Sequence, residues 1–238
     1  MSGYPVRGLT TAIFAAILIA CSDSPAEPPY EPRIDPANFV AAVTNPFFPL
    51  VPGTSWYYEG QTPEGLETNT VEVLAQNRTV AGIAATVVHD RVYLDGDLIE
   101  ETFDWYAQDD PGNVWYLGED SREIENGRVV STAGSWETGV DNAKPGIIMW
   151  ADPGAHIGES YRQEYYRGEA EDWARVLSVN EAVDVPYGRM TGCTRTEDWN
   201  ALERDVVEQK YYCPAVGMAL EVLVRGGNER VQLVRVTR

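Results

Sequence analysis

Asp90, Glu101 and Asp120 are the residues whose spacing suggests chemistry first. A hairpin centred on Asp95-Gly96 sets Asp90 opposite Glu101, Val88 opposite Phe103 and Val92 opposite Ile99. A second hairpin turning at residues 109–112 sets Trp105 opposite Tyr116 and Glu101 opposite Asp120. Side chains alternate between the faces of a strand, so the three carboxylates are expected in one row on an otherwise apolar and aromatic face, with Arg122 one row along. Like charges directly opposite one another repel, and an apolar setting resolves the conflict with a proton, a cation or an arginine. A shared proton would make the row an acid–base catalyst, with Asp90, Glu101, Asp120 and Arg122 as the catalytic candidates. A shared cation would make Asp90, Glu101 and Asp120 metal ligands, with calcium as the cation that favours oxygen donors. The alternative is a solvated sheet edge, or a register slipped by one residue, which would send the set to the other face.

Other reactive constellations are sparse. The chain has two histidines, His89 and His156, far apart in sequence, and both are expected to be structural or exposed. It lacks the Gly-x-Ser-x-Gly elbow, the His-Glu-x-x-His helix and the glycine-rich phosphate loop. A second acidic group, Glu164, Glu169, Glu171 and Asp172, surrounds Gly168 and reads as a solvated hairpin tip. Trp105, Tyr116, Trp136 and Trp150 are the candidate ligand-binding aromatics, because flat apolar molecules and sugar rings pack on such side chains. The expected ligand is accordingly an apolar or neutral sugar-like molecule.

The three cysteines divide by position. Cys21 ends Leu18-Ile19-Ala20-Cys21, a lipobox after a short apolar run from Leu9 that is too short to span a membrane. Residues 1–20 therefore read as a lipoprotein signal peptide and Cys21 as the lipidated residue. Export places the chain where disulfides persist, and a hairpin centred between Leu202 and Arg204 sets Cys193 opposite Cys213, so these two are expected to be bridged. Ser22, in place of the aspartate that retains some lipoproteins at the inner membrane, directs the expectation to the periplasmic face of the outer membrane or the cell surface.

Composition narrows the partners. The formal charge is −19, and Arg7 is the only charge in the signal, so the mature chain is more acidic still. Such a chain repels nucleic acid and anionic headgroups. Its expected partners are the membrane, through the lipid, and a small ligand. Cations, neutral sugars and apolar molecules all remain compatible.

The positioning elements are strands. Residues 21–44 carry the lipidated cysteine and a proline-rich tether. Residues 45–238 form a single β-rich domain. Turn signals recur at Asp95-Gly96, Asp110-Pro111-Gly112-Asn113 and Asn126-Gly127 between stretches rich in Val, Ile, Thr, Tyr and Trp. The expected fold is all-β: an antiparallel meander of roughly ten to twelve strands in a barrel-like or strongly curved sheet. Residues 134–158, rich in Gly and Pro, read as a long loop, from which Trp136 and Trp150 would cover a pocket.

The segments NPFFPLVPGTSWYYEG (45–60), FDWYAQDDPGNVWYLGEDSREIENGRVVS (103–131), GSWETGVDNAKPGIIM (134–149) and YRQEYYRGEAEDW (161–173) resemble a family of bacterial secreted proteins and lipoproteins. The resemblance runs over most of residues 45–236 and implies no activity, ligand or catalytic residue. The leading expectation is a binding lipoprotein. A carboxylate-dependent hydrolase or lyase, with or without calcium, is the second, and a structural or assembly lipoprotein the third. Whether the chain is an enzyme stays open at this level.

Overall fold

A computed structural model describes residues 29–238. The signal peptide and Cys21 lie outside the described residues. The chain forms sixteen strands: β1 (Phe39–Val40), β2 (Ser55–Gln61), β3 (Leu66–Val80), β4 (Ile83–Leu94), β5 (Asp97–Asp109), β6 (Val114–Glu125), β7 (Arg128–Ser131), β8 (Trp136–Glu137), β9 (Lys144–Met149), β10 (Ser160–Arg162), β11 (Glu164–Tyr165), β12 (Asp172–Val185), β13 (Gly188–Asn200), β14 (Val207–Cys213), β15 (Gly217–Arg225) and β16 (Arg230–Thr237). All belong to one antiparallel sheet, nearly closed into a barrel.

Most neighbours in the sheet are neighbours in sequence, as short hairpin turns require. The order along the sheet is β10-β12-β13-β14-β15-β16-β2-β3-β4-β5-β6-β9-β11. Its two ends, β10 and β11, are separated only by Gln163. One stretch of chain thus pairs with β12 through residues 160–162 and with β9 through residues 164–165. Gly146 on β9 makes this seam possible: a Cβ there would collide with the backbone of Arg162 and Gln163. The pairing that joins the chain's two ends is β16 with β2, which sets Leu233 opposite Tyr58 and Val236 opposite Trp56.

The antiparallel order gives the barrel two unlike ends. Turns at 62–65, 95–96, 126–127, 201–206 and 226–229 form one, here called the rim. Residues 51–54, 110–113, 186–187 and 214–216 lie at the other, the base. The main core fills the base half and includes Trp56, Val73, Val88, Val114, Met149, Tyr212 and Leu233, all buried. Residues 43–50 plug this end. Asn45 pins the plug by donating from Nδ2 to the carbonyls of Gly112 and Trp150, while Phe48 packs edge-on against Tyr106 at 5.1 Å between ring centres.

Two expectations about loops change. Residues 30–44 are not a free tether: Phe39 pairs with Asp109, the Tyr30 hydroxyl donates to the Pro145 carbonyl, and Glu31 pairs with Lys144 at 2.9 Å. Residues 134–158 are not one long loop. They contain β8, β9 and a 3-10 turn at Pro153–His156, and Ile147 and Met149 are core residues. Glycine and proline in this stretch mark close backbone approach and strand ends. Gly118, at φ +140° and beneath the Trp136 carbonyl, shows the same: β8 can cross β6 there because no Cβ intervenes.

Candidate functional site

The barrel holds a cavity of about 300 Å³ above the plug. Phe48, Leu50, Trp56, Val88, Tyr106 and Tyr212 line its base side. Asn69, Asp90, Asp104, Glu164, Asp172, Lys210 and Glu221 line its wall toward the rim. The alternation of each strand explains the set: Asp90 follows Val88 on the inner face of β4, Asp104 precedes Tyr106 on β5, and Lys210 precedes Tyr212 on β14.

The wall is a network of carboxyl groups with raised proton affinity. Asp104 and Glu119 are cross-strand partners. Burial raises both pKa values first; Asp104 adds to the shift of Glu119 and Glu100 to that of Asp104, while the Tyr116 hydroxyl, which donates to Asp104 Oδ1 at 2.6 Å, opposes both. Glu164 and Asp172 form a second interacting pair, again raised first by burial. Trp136 Nε1 donates to Glu164 Oε2 at 2.6 Å. Asp198 accepts from Thr196 and Gln163. Lys210 lies 3.3 Å from Glu208 and 3.5 Å from Glu221. Burial lowers its pKa, but Glu221, Glu208 and Asp198 outweigh that and hold it charged.

Asp90 differs from the rest. Burial raises its pKa first, then Asp104 and Glu100, while a hydrogen bond from Asn69 opposes the shift. Its Oδ1 has no hydrogen-bond partner and is shut off from bulk solvent, and Asn69 Oδ1 is in the same condition.

The expected carboxylate row does not form. The Asp95-Gly96 turn is present, with Leu94 opposite Asp97, but Ile99 bulges out of β5 and shifts the pairing by one. Asp90 then faces Thr102, and Glu101 faces Arg91. On the next strand Leu117 and Gly118 together oppose Trp105, so Asp120 sits opposite Phe103 and Glu101 opposite Arg122. Asp90 points into the barrel, whereas Glu101, Asp120 and Arg122 lie on the outer face. There Arg122 reaches Asp120 at 2.7 Å and Glu101 at 3.4 Å, and His89 reaches Glu101 at 2.9 Å. Among the described residues no group of three His, Cys, Asp or Glu side chains is placed to hold a metal ion.

The aromatic candidates separate likewise. Tyr116 lines the cavity. Trp136 packs edge-on behind it, at 5.4 Å between ring centres. Trp105 belongs to a smaller outer core under the long β3–β4 hairpin, with Arg78 stacked over it. Trp150 stacks on His156 and packs edge-on against Tyr161, beside Ile147 and Val176 and not in the cavity. Trp105 and Trp150 therefore do not line the cavity: the Ile99 bulge leaves Trp105 on the outer face of β5 with Glu101 and Phe103, and Trp150 follows the end of β9. The acidic group at Gly168 is corrected too: Glu164 and Asp172 turn inward and line the cavity, while Glu169 stays exposed. Cys193 and Cys213 are bridged, as their hairpin register implies.

No protein-family model matches the chain, and no curated protein matches it. Two solved structures resemble it in part. One, from Bacteroides fragilis NCTC 9343, carries the provisional description of an exported protein with a YmcC-like fold; it is 14% identical with a TM-score of 0.44, and the match covers 81% of this chain and 99% of that one. The other, from Parabacteroides distasonis ATCC 8503, carries the provisional description of a lipoprotein; it is 11% identical with a TM-score of 0.44, over the same shares of the two chains.

Proposed function

We propose that this chain is an exported, lipid-anchored binding protein that holds a small organic molecule inside its barrel. The observation that carries this reading is the cavity: about 300 Å³, floored by aromatic rings and walled by polar groups, at the small end of ligand pockets. A ligand with an apolar body and a polar edge matches that division, which keeps apolar and sugar-like molecules within the class. The lipobox supports anchoring through Cys21 at the periplasmic face of the outer membrane or the cell surface. Mass spectrometry of the protein purified under native conditions tests the binding role: a retained small molecule, displaced on unfolding, is expected. Cys21→Ala is expected to move the protein from the membrane fraction to the soluble one. Retention of that variant after a high-salt wash would refute the anchor.

A second reading, a carboxylate-dependent hydrolase or lyase, draws support from the Glu164–Asp172 pair, which lines the cavity and whose pKa values burial raises. It predicts turnover of a small ester or glycoside that Glu164→Gln abolishes without unfolding the barrel.

A further inference from the structure

We propose that the cavity's ligand is an organic ammonium compound, its charged nitrogen seated against Asp90 and Asn69 and its carbon chain lying on the tyrosine rings. This rests on the reading that the cavity is a ligand site, and it names the class of ligand.

Two neighbouring acceptors carry the argument. Asp90 Oδ1 on β4 and Asn69 Oδ1 on β3 both belong to residues that line the cavity, and neither has a donor. A shielded acceptor without a donor is costly: in the empty cavity a proton on Asp90 can answer for one of the two, whereas a ligand with several N–H groups can serve both. The protein's own cation cannot serve them: Lys210 is held across the barrel by Glu208 and Glu221. It is the only basic side chain among the lining residues, against the carboxyl groups of Asp90, Asp104, Glu164, Asp172 and Glu221. An ammonium group offers three donors and the missing charge.

The surroundings favour an organic cation over a metal ion. The acids are spread around the wall, and no three of the described side chains converge as a compact divalent ion requires. Tyr58, Tyr106 and Tyr116 present aromatic surface to the same space, which attracts a cation and packs against methylene groups. Toward the rim Glu67 feels Glu100, Glu208 and Glu229, so that end of the barrel adds a field of the same sign, which attracts cations.

A proton balance follows. In the empty cavity burial favours the protonated form of Asp90, as do Asp104 and Glu100 from β5 and Glu221 from β15, while the hydrogen bond from Asn69 on β3 opposes it. When the ammonium arrives, the Asp90 O–H bond breaks, the proton passes to buffer, and the carboxylate pairs with the ligand. Affinity then rises with pH through the range in which free Asp90 is protonated, as long as the amine itself stays charged.

Isothermal titration of the full-length protein with 1,4-diaminobutane, with 1,4-butanediol as its neutral isostere and with calcium chloride alone, tests the idea. The diamine is expected to bind saturably at 150 mM salt, to release a proton read from two buffers of different ionisation heat, and to weaken at least tenfold in Asp90→Asn. Glu101→Gln, on the outer face, is expected to leave that affinity unchanged. Diamine binding indifferent to Asp90→Asn, or no diamine binding, overturns the inference. If the diol or a neutral molecule retained through native purification occupies the cavity instead, the ammonium class fails and the binding role survives. If the diamine, the diol and calcium all fail and native purification yields an empty protein, both fail.

Discussion

The two halves of the barrel are built on the same strands yet solve opposite problems. At the base, buried apolar and aromatic side chains from β2, β4, β6, β14, β15 and β16 close over one another and the plug. Two residues farther along the same strands, toward the rim, Asp90, Lys210 and Glu221 point into the same interior. The base therefore draws its stability from excluded water. The rim half spends stability, since its acids must either keep a proton or face one another charged. A fold that concentrates stability at one end and unresolved polarity at the other has the arrangement of a site held by a scaffold.

That contrast can be broken most directly at the base. Trp56→Ala removes a buried indole that also donates to the Val216 carbonyl. A loss of about 3–5 kcal/mol is expected in urea unfolding, as for other large buried aromatics. A loss under about 1 kcal/mol would mean that the base is not the stable half. Next comes the bridge. Replacing Cys193 and Cys213 by alanine opens a loop with a sequence separation of 20 and is expected to cost roughly 3 kcal/mol, equally at pH 5 and pH 8. Alkylation of the unfolded, unreduced protein should find neither thiol free.

The rim half sharpens the contrast through pH. Carboxyls whose pKa is raised in the fold stabilise it fully below their unfolded value, near about 4, and lose that contribution as pH rises through the folded value. Melting temperature is therefore expected to rise as pH falls from 8 to 5, against the usual behaviour of paired carboxylates. Glu164→Gln, which cannot ionise, should stabilise by about 1 kcal/mol at pH 8 and by nothing near pH 4, flattening the profile. An unchanged slope would remove Glu164 from the set of protonated acids. The smallest effect belongs outside the barrel. Glu101→Gln breaks partly exposed contacts to His89 and Arg122 and is expected to shift stability by less than about 0.5 kcal/mol. A larger loss would show the outer face to be more than solvated surface.

The fold was legible because turns and alternation report it. Asp95 and Gly96 both adopt positive φ, as their hairpin turn demands, and the Cys193–Cys213 register is the one their spacing implies. The site was only half legible, because bulges leave a weak mark in sequence. Ile99 is an ordinary strand residue, yet its extra step separates Asp90 from Glu101 by a sheet's thickness. Gly118 was the one available hint at the second bulge. Asp198, Glu208 and Lys210 could have been found: the correct register of the disulfide hairpin already sets Asp198 opposite Glu208 and Thr196 opposite Lys210. Charged residues along a strand ordinarily mark a solvent-facing side, and that rule fails inside a cavity.

The β2–β16 pairing also governs the order in which the molecule can assemble. Trp56 meets Val236, so the first long strand waits for almost the last residues before it gains its second neighbour. A chain that emerges N-terminus first can zip β2 through β6 early, from local hairpins, but leaves the free edge of β2 unpaired until residues 230–237 arrive. Closing so large a loop is slow, and open edges recruit other strands meanwhile. The vulnerable moment in the life of this protein is the interval between synthesis and ring closure, and a chain cut short by its final strand would never leave it.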